Sequence, residues 1–335
     1  LTKLSLRVPA GAAKSYVYVR SYGNPLKSYS GTVNSIRLYE SQNKLRFSPP
    51  DLLNPITLQL STGASALTLK DNQDYILKMP ASVKTGGLAI QGGRNVVVIG
   101  GHIRLTSAVN KVGPDINRRG VYVKDNKGTV HLEGLVIEGD GQATMDGIAV
   151  SSGDSIVQVQ NTRVLNLYGT HSGFHADIIQ PFGGVKELRV DKLTGSSYYQ
   201  GLQLASSSDP IGKVELHRVN LKSLGNYSKD AGGQLFWMIS STSGFNCAQS
   251  FPVVLDEVYI LPRADGWGLG AAAYPMGNAK DQSGLSCGGQ LNATKTEISF
   301  PLLPVTGVLK GGVPVDGDFV PANVPGVNYV SPGYR

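Results

Sequence analysis

The chain has 335 residues, of which 31 are Lys or Arg and 24 are Asp or Glu, so its formal net charge is +7 and its pI is near 9.2. No run of about 18 apolar residues occurs, and the sequence therefore predicts no transmembrane helix. The positive charge indicates a polyanionic partner. It is spread along the chain without a basic arm, an RNA-binding motif or a zinc motif. This pattern favours an acidic polysaccharide over nucleic acid.

Strand-like segments dominate residues 1–80, but they follow no clear repeat. They read KSYVYVRSYG, SIRLYE and ITLQLSTGASALTLKDNQDYILKMP. We interpret them as the strands of an N-terminal cap, because the open end of a stack of strands exposes unpaired strand edges.

Residues 85–265 contain an internal repeat with steps of 24–33 residues. Each repeat opens with a short strand-like segment, and these segments read GLAIQ, GVYVK, GIAVS, DIIQP, GLQLA and GQLFW, starting at positions 87, 120, 147, 177, 201 and 233. A second segment such as TVHLEGL or KVELHRV follows, and then a third such as LVIEG or NLKSL. Their alternating apolar pattern predicts strands.

Three short strands in each repeat predict an all-β fold, the right-handed parallel β-helix, with six or more coils. Each coil alone could not bury its apolar face, so neighbouring coils stack and share one core. The alternative is a β-sandwich, but the Asn-Gly hairpin signals that join antiparallel strands are missing between the segments.

The residues from 266 to 335 are rich in Gly and Pro, and we expect them to form a loop-rich C-terminal cover. No linker interrupts the chain, which predicts one domain over 1–335. Cys247 and Cys287 could form one disulfide bridge or remain two buried thiols. A bridge would indicate export, because cytosolic thiols stay reduced. We expect a secreted protein from which the signal peptide has been removed.

Alignment of the repeats predicts which side chains stack. In the first strands, Val121, Ile148, Ile178, Leu202 and Leu235 form an inward column. The residues before them are mostly glycines and would face outward, since side chains alternate along a strand. Asp177 then stands alone on a glycine strip where a chain-like ligand could lie. In the third strands, the predicted column is Arg104, Glu138, Leu165, Thr194, Lys222 and Leu261.

The densest group of polar side chains lies in the stretch THSGFHADIIQPFGG. It contains His171, His175, Asp177 and Gln180 within ten positions, although the whole chain has only five histidines. No third ligand at zinc spacing and no presenting helix accompany the two histidines, so a functional site without metal is favoured. His102, His131 and His217 are interpreted as ordinary structural or surface residues.

Neighbouring loops supply further candidates for the same site. GSSYYQG contributes Tyr198, Tyr199 and Gln200, and NLKS contributes Lys222. Because consecutive coils lie about 4.8 Å apart, these side chains can converge within a space the size of one sugar. The substrate-binding candidates from the remaining segments are Arg118, Arg119, Asp146 and Tyr227.

The coil pattern GLAIQGGRNVVVIGG…GVYVK…TVHLEGLVIEG resembles the pectate-lyase-like superfamily of right-handed β-helix proteins over about residues 85–265. That resemblance implies action on a polysaccharide, in many members a uronic-acid polymer. The segments HSGFHADIIQ, SSYYQG and NLKS resemble the alginate lyases of this group. The Asp-rich motifs of polygalacturonase-like hydrolases and the clustered acids of a pectate-lyase calcium site are missing.

From this resemblance we expect a secreted lyase that cleaves an acidic polysaccharide, with alginate as the first choice, by β-elimination. Arg119, helped by Gln180 or His175, would neutralise the substrate carboxylate. Lys222 or His171 would be the base, and Tyr199 or Tyr198 the acid.

Two alternatives stay open. One is a non-catalytic glycan-binding or tailspike-like protein, and the other is a glycoside hydrolase that uses Asp177 with Asp146 or Glu138. We expect no cofactor, although calcium is not excluded. We also expect a monomer with no nucleic-acid or membrane partner.

Overall fold

The computed structural model describes residues 45–108, 115–206, 208–225, 232–238 and 246–333, and these residues form a nearly all-β structure dominated by one long, mainly parallel sheet. They belong to one compact unit. Two segments predicted as cap strands, KSYVYVRSYG and SIRLYE, lie outside the described residues. Within the described part, no helix is both long enough and apolar enough to span a membrane.

The described strands are short apart from three long ones that run through corners of the fold. In chain order they are β1 Ile56–Gln59, β2 Ser65–Leu69, β3 Tyr75–Lys78, β4 Leu88–Gly92, β5 Val96–Ile99, β6 His102–Leu105, β7 Arg119–Lys124, β8 Thr129–Glu133, β9 Val136–Gly139, β10 Asp146–Leu167, β11 Ile179–Gln180, β12 Val185–Ser197, β13 Leu202–Leu204, β14 Ile211–Ser223, β15 Phe236–Met238, β16 Val253–Leu261, β17 Ala273–Tyr274, β18 Gln290–Leu291, β19 Glu297–Ser299 and β20 Val305–Gly311. Three 3₁₀ helices are described as well: Asp115–Arg118, Cys247–Gln249 and Leu269–Ala272.

Every first, second and third segment predicted in the repeats lies on a strand. The first segments form a parallel ladder, here called ladder 1, which runs β2–β4–β7–β10–β11–β13–β15–β17. The second segments form ladder 2, which runs β1–β3–β5–β8–β10–β12–β14–β16–β20.

The third segments form ladder 3, which begins at β6 and β9 and continues through the second halves of β10, β12, β14, β16 and β20. Each ladder pairs strands from successive repeats in parallel. This arrangement is compatible with the predicted solenoid.

In β10, β12, β14 and β16 the bend between ladders 2 and 3 is made by one left-handed residue. Asn161, Lys192, Arg218 and Glu257 have φ angles of 50°, 56°, 51° and 56°. Asparagine tolerates this conformation, whereas a lysine, arginine or glutamate there costs about 1–2 kcal/mol. The same strained bend recurs on adjacent strands, so the packing of the apolar faces on both sides imposes it.

The core lies between the three ladders and is made of aliphatic side chains. Val121, Ile148, Ile179 and Leu202 are in register on ladder 1 and fully buried. Phe236 continues this column. The sequence placed Ile178 and Leu235 in it, but the pairing assigns their C-terminal neighbours. Both residues of each pair are buried, and burial alone therefore could not distinguish them.

The ladders begin before the predicted repeats and continue after them. Strands β1, β2 and β3 pair in parallel with later strands, although the sequence placed them in a cap. At the other end, β20 pairs in parallel with β16 inside the predicted loop-rich cover. From 312 to 333 the structure has no strand.

Cys247 and Cys287 form a disulfide bridge across a sequence separation of 40 residues, and both are buried. Replacing both with serine should lower the free energy of unfolding by about 2–4 kcal/mol, because the unfolded chain regains the freedom of that loop. Urea unfolding followed by circular dichroism measures the change. A reductant should bring the wild type to the level of the double variant and leave the variant unchanged. Equal stability of the oxidised and reduced wild type would contradict the expectation.

Candidate functional site

A cleft of about 450 Å³ opens on the outer face of ladder 1 near its C-terminal strands. Its walls carry imidazole, phenol, indole and amide groups. The lining residues are His171, His175, Tyr199, Gln200, Gln203, Gly232, Gln234, Trp237 and Trp267. A larger cleft of about 610 Å³ has one ionisable side chain, Asp51, among the described residues that line it, which are Leu45, Ser48, Pro49, Pro50, Asp51, Leu52, Pro55, Ile76, Pro332 and Gly333. The cleft on ladder 1 is therefore the better candidate for chemistry.

The cleft continues a column of outward side chains along ladder 1. Ala149, Gln180, Gln203, Trp237 and Tyr274 are in register on successive strands. They occupy the position after the inward aliphatic column, so the alternation of a strand turns them to the outer face. Gln180 Nε2 donates a hydrogen bond to Gln203 Oε1. Amides and aromatic rings thus follow one another along the ladder.

Aromatic pairs stand at two places on this face. Tyr122 and Phe182 stack with their ring centroids 5.9 Å apart, and Trp237 packs edge-on against Tyr274 at 5.4 Å. Flat apolar rings beside amide donors are suited to pyranose rings, which present C–H faces and hydroxyl edges. Ladder 1 therefore offers two platforms with amide groups between them.

His171, His175 and Tyr199 form a stack of three rings. The two imidazole centroids lie 6.0 Å apart, and the His175 ring lies 5.1 Å from the Tyr199 ring. His175 Nε2 is 3.1 Å from the carbonyl oxygen of His171. A carbonyl can only accept, so the neutral His175 carries its proton on Nε2 and its lone pair on Nδ1. Both histidines are exposed, whereas Tyr199 is buried.

A second column of polar side chains runs along the N-terminal ends of the ladder 1 strands, and two of its members, Gln200 and Gln234, line the cleft. Arg119, Asp146, Asp177, Gln200 and Gln234 follow one another in register. Asp146 and Asp177 are almost completely buried. Burial and the neighbouring Asp146 raise the pKa of Asp177 well above its usual range. Asp177 is therefore no exposed ligand on a groove floor.

Two glycines of the predicted strip, Gly120 and Gly147, face the interior of the protein. A Cβ added at Gly120 would lie 2.3 Å from Ile137 Cγ2, and one added at Gly147 would lie 2.3 Å from Val164 Cγ1. Both contacts are core side chains of ladder 3. The prediction of an outward strip is wrong at these two positions. Both glycines lie at the N-terminal end of their strands, next to the corner of the fold, where inward and outward positions do not simply alternate.

The structure brings four of the predicted site residues together in the cleft: His171, His175, Tyr199 and Gln200. Gln180 adjoins them through Gln203. Arg119 packs on Tyr122, with its guanidinium carbon 4.9 Å from the ring centre, and Arg119 Nε is 3.8 Å from Asp146 Oδ2. Arg118 is exposed, 5.7 Å from the Phe174 ring.

Other predicted residues lie away from the cleft. Lys222 is exposed on ladder 3, in register with Ser196 rather than with Thr194. Tyr198 packs against Tyr168 with the ring centroids 6.0 Å apart, on the far side of the chain from Tyr199.

Glu138 pairs with His102 and Arg104 on ladder 3, and His102 lowers the pKa of its carboxyl. Tyr227 lies outside the described residues.

The remaining histidines have structural partners. His131 is fully buried, with Nε2 3.0 Å from Glu133 Oε2, and His217 Nδ1 is 3.0 Å from Asp256 Oδ2. His102 lies 3.2 Å from a glutamate oxygen. This agrees with their interpretation as ordinary residues.

Sequence reasoning missed Gln203, Gln234, Trp237 and Trp267. The first three lie in the repeat segments GLQLA and GQLFW. A correct alignment of those segments with DIIQP would have placed Gln203 and Trp237 beside Gln180, and Gln234 beside Gln200. Trp267 lies in a loop where no periodic pattern exists, and it packs under the Arg263 guanidinium at 4.7 Å.

No group of three or more His, Cys, Asp or Glu side chains placed to hold a metal ion occurs in the described part of the chain. Comparison with protein-family models, with curated proteins and with solved structures finds no match for this chain. The resemblance to the pectate-lyase-like superfamily therefore depends on the repeat pattern alone.

Proposed function

We propose that the protein is a secreted lyase of the pectate-lyase-like, right-handed β-helix type that cleaves a uronic-acid polysaccharide by β-elimination. Alginate is the substrate we put first. The observation that carries the proposal is the stack of His175 on Tyr199 in a cleft whose other walls are amides and indoles. Export is supported by the disulfide bridge, and an acidic polymer by the net charge of +7.

The chemistry makes three demands on the site. The C6 carboxylate must be stabilised as charge moves onto it, a base must remove the C5 proton, and an acid must protonate the leaving O4. The C5–H and C4–O4 bonds break while a C4=C5 double bond forms, and no water is consumed.

We assign the base to Nδ1 of His175 and the acid to the hydroxyl of Tyr199. The amide N–H groups of Gln200, Gln203 and Gln234 would donate to the carboxylate. Fixed donors at a developing negative charge are typically worth about 10²–10³ in rate each. These assignments replace Lys222 and Arg119 of the sequence-based hypothesis, since neither lines the cleft.

A non-catalytic glycan-binding protein is the second candidate, and the aromatic pairs along ladder 1 favour it. A hydrolase that uses Asp177 with Asp146 is less well supported. Both carboxyls are buried beneath the cleft and reach no glycosidic bond from the surface. A hydrolase that uses Asp177 with Glu138 has still less support, because Glu138 lies on ladder 3.

The test is the ultraviolet absorbance of unsaturated uronate ends, measured with alginate, polygalacturonate, glucuronan and glycosaminoglycans. We expect a rise with one polymer, and a rise that survives EDTA would support the expectation that no metal cofactor is needed. Polymer binding without any rise would favour the binding protein. Reducing ends without any rise would favour the hydrolase.

Replacing Trp237 with alanine should raise KM about 2- to 10-fold and leave kcat nearly unchanged, because a stacking surface contributes to ground and transition states alike. The matched control is Tyr259→Ala, which removes a half-buried aromatic side chain from ladder 3. Steady-state kinetics on the cleaved polymer measure both. An unchanged KM in the Trp237 variant would remove this end of the cleft from the binding surface.

A further inference from the structure

We propose that Asp177 is a positioning residue whose protonated carboxyl donates a hydrogen bond to Oε1 of Gln200 and so turns the Gln200 amide N–H groups toward the cleft. The hydrogen bond is inferred from the packing beneath the cleft. Only the use of Gln200 to bind a uronate carboxylate rests on the proposed function.

The pairing of the strands brings the two side chains together. Ile179 of β11 is in register with Leu202 of β13, which puts Asp177 opposite Gln200 two residues earlier. The Gln200 N–H donates to Ala176 O at 3.1 Å, the bond expected when Gln200 lies opposite Asp177 on parallel strands. Side chains opposite each other on adjacent strands are about 4.8 Å apart and on the same side.

Both groups have acceptor atoms that need a donor. The two carboxyl oxygens of Asp177 and the Oε1 atom of Gln200 are buried, and the described residues offer them no hydrogen-bond partner. A buried acceptor without a hydrogen-bond partner destabilises the folded state. Two acceptors facing each other cannot satisfy one another, but a single proton on Asp177 satisfies one oxygen of each.

The local charges favour that proton. Asp146 and Asp177 are consecutive buried carboxyls, and the Asp177 N–H donates to Asp146 Oδ1 at 3.1 Å. Arg119 lies on the other side of Asp146, with Nε 3.8 Å from Asp146 Oδ2. The Arg119 guanidinium favours the ionised form of Asp146, and a second buried charge beside that carboxylate is unfavourable, so Asp177 is more stable neutral. Burial and Asp146 raise the pKa of Asp177 accordingly.

The consequence concerns which end of the Gln200 amide faces the substrate. When its oxygen is held by Asp177, its NH₂ group points to the cleft that Gln200 lines. A donor there attracts a carboxylate. In the opposite orientation, an ionised Asp177 would accept from the amide nitrogen. The amide oxygen would then face the cleft and would repel a carboxylate.

Infrared spectroscopy of the purified protein at neutral pH tests the hydrogen bond without any substrate. We expect the C=O band of a protonated carboxylic acid in the wild type, its loss in Asp177→Asn, and a change of its frequency in Gln200→Ala, where the acceptor is gone. Absence of the band, or a band that Gln200→Ala leaves in place, would overturn the proposal. Asp154→Asn, at an exposed acid, is the control.

Kinetics then test the positioning role. Asp177→Asn keeps a neutral donor and should retain KM within about 3-fold of the wild type, whereas Asp177→Val should raise KM as far as Gln200→Ala does. The Asp177→Val/Gln200→Ala double variant should be no worse than either single variant. A normal KM in Asp177→Val, or loss of all activity in Asp177→Asn, would overturn it. If no uronan is cleaved by the wild type, the proposed function fails while the infrared result still decides the hydrogen bond.

Discussion

His175→Ala and Tyr199→Phe should each lower kcat about 10²- to 10⁴-fold, the usual range for loss of a general base or acid. The His175 change removes the lone pair on Nδ1. The Tyr199 change removes a single oxygen and leaves the buried ring in place, so the fold should persist. Initial rates from the absorbance of unsaturated ends measure the loss, and circular dichroism checks the fold.

Two matched variants make this test specific. Tyr198→Phe removes the same oxygen from the neighbouring tyrosine, which packs on Tyr168 away from the cleft. Lys222→Ala removes the base that the sequence first suggested, on ladder 3. Both should stay within about 3-fold of the wild type. If Lys222→Ala abolished activity while His175→Ala did not, the reaction would not occur in this cleft.

The second large effect concerns stability and pH. The pKa of Asp177 is raised in the folded protein, so between its unfolded value of 3.8 and the folded value the native state binds a proton that the unfolded chain has lost. The free energy of unfolding therefore falls as pH rises, by at most about 1.4 kcal/mol for each pH unit. Asp177→Asn cannot ionise and should lack this loss.

Urea unfolding of the wild type and of Asp177→Asn between pH 5 and 7.5 measures the difference. The window is chosen because the lowered pKa of Lys84, about 8, adds an opposite slope only at higher pH. Subtracting the variant removes the contribution of groups that titrate equally in both proteins. Parallel curves for the two proteins would mean that Asp177 is ionised at neutral pH.

The strands could be predicted because their signal is local. Alternation of apolar residues within segments such as GVYVK and TVHLEGL depends on neighbouring positions only, and each segment lies on a strand that pairs in parallel with the preceding repeat. Asn161 and Lys192 show what such patterns miss. Nothing in their side chains requires a left-handed conformation in both, and the packing of two ladders imposes it.

Part of the candidate site could also be predicted from a local sequence signal. His171, His175, Tyr199 and Gln200 converge because they lie in loops that enter ladder 1. Lys222 does not join them because it points outward from ladder 3, and its place depends on which face a strand turns to solvent. The burial of Asp177 could not be predicted in the same way. Either of two adjacent isoleucines, Ile178 and Ile179, could occupy the inward column, and the choice between them decides the register of Asp177.

Mass spectrometry of the oligosaccharides released from alginate tests the central claim most directly. β-Elimination consumes no water, so each cleavage should leave one fragment with an unsaturated uronate end, and that fragment should be lighter by one water than the corresponding product of hydrolysis. The wild type should yield these fragments, and Tyr199→Phe should yield almost none. Cleavage of alginate or of any other uronan that yields only fragments with the mass of hydrolysis products would contradict the lyase and return the assignment to a carboxyl-based hydrolase.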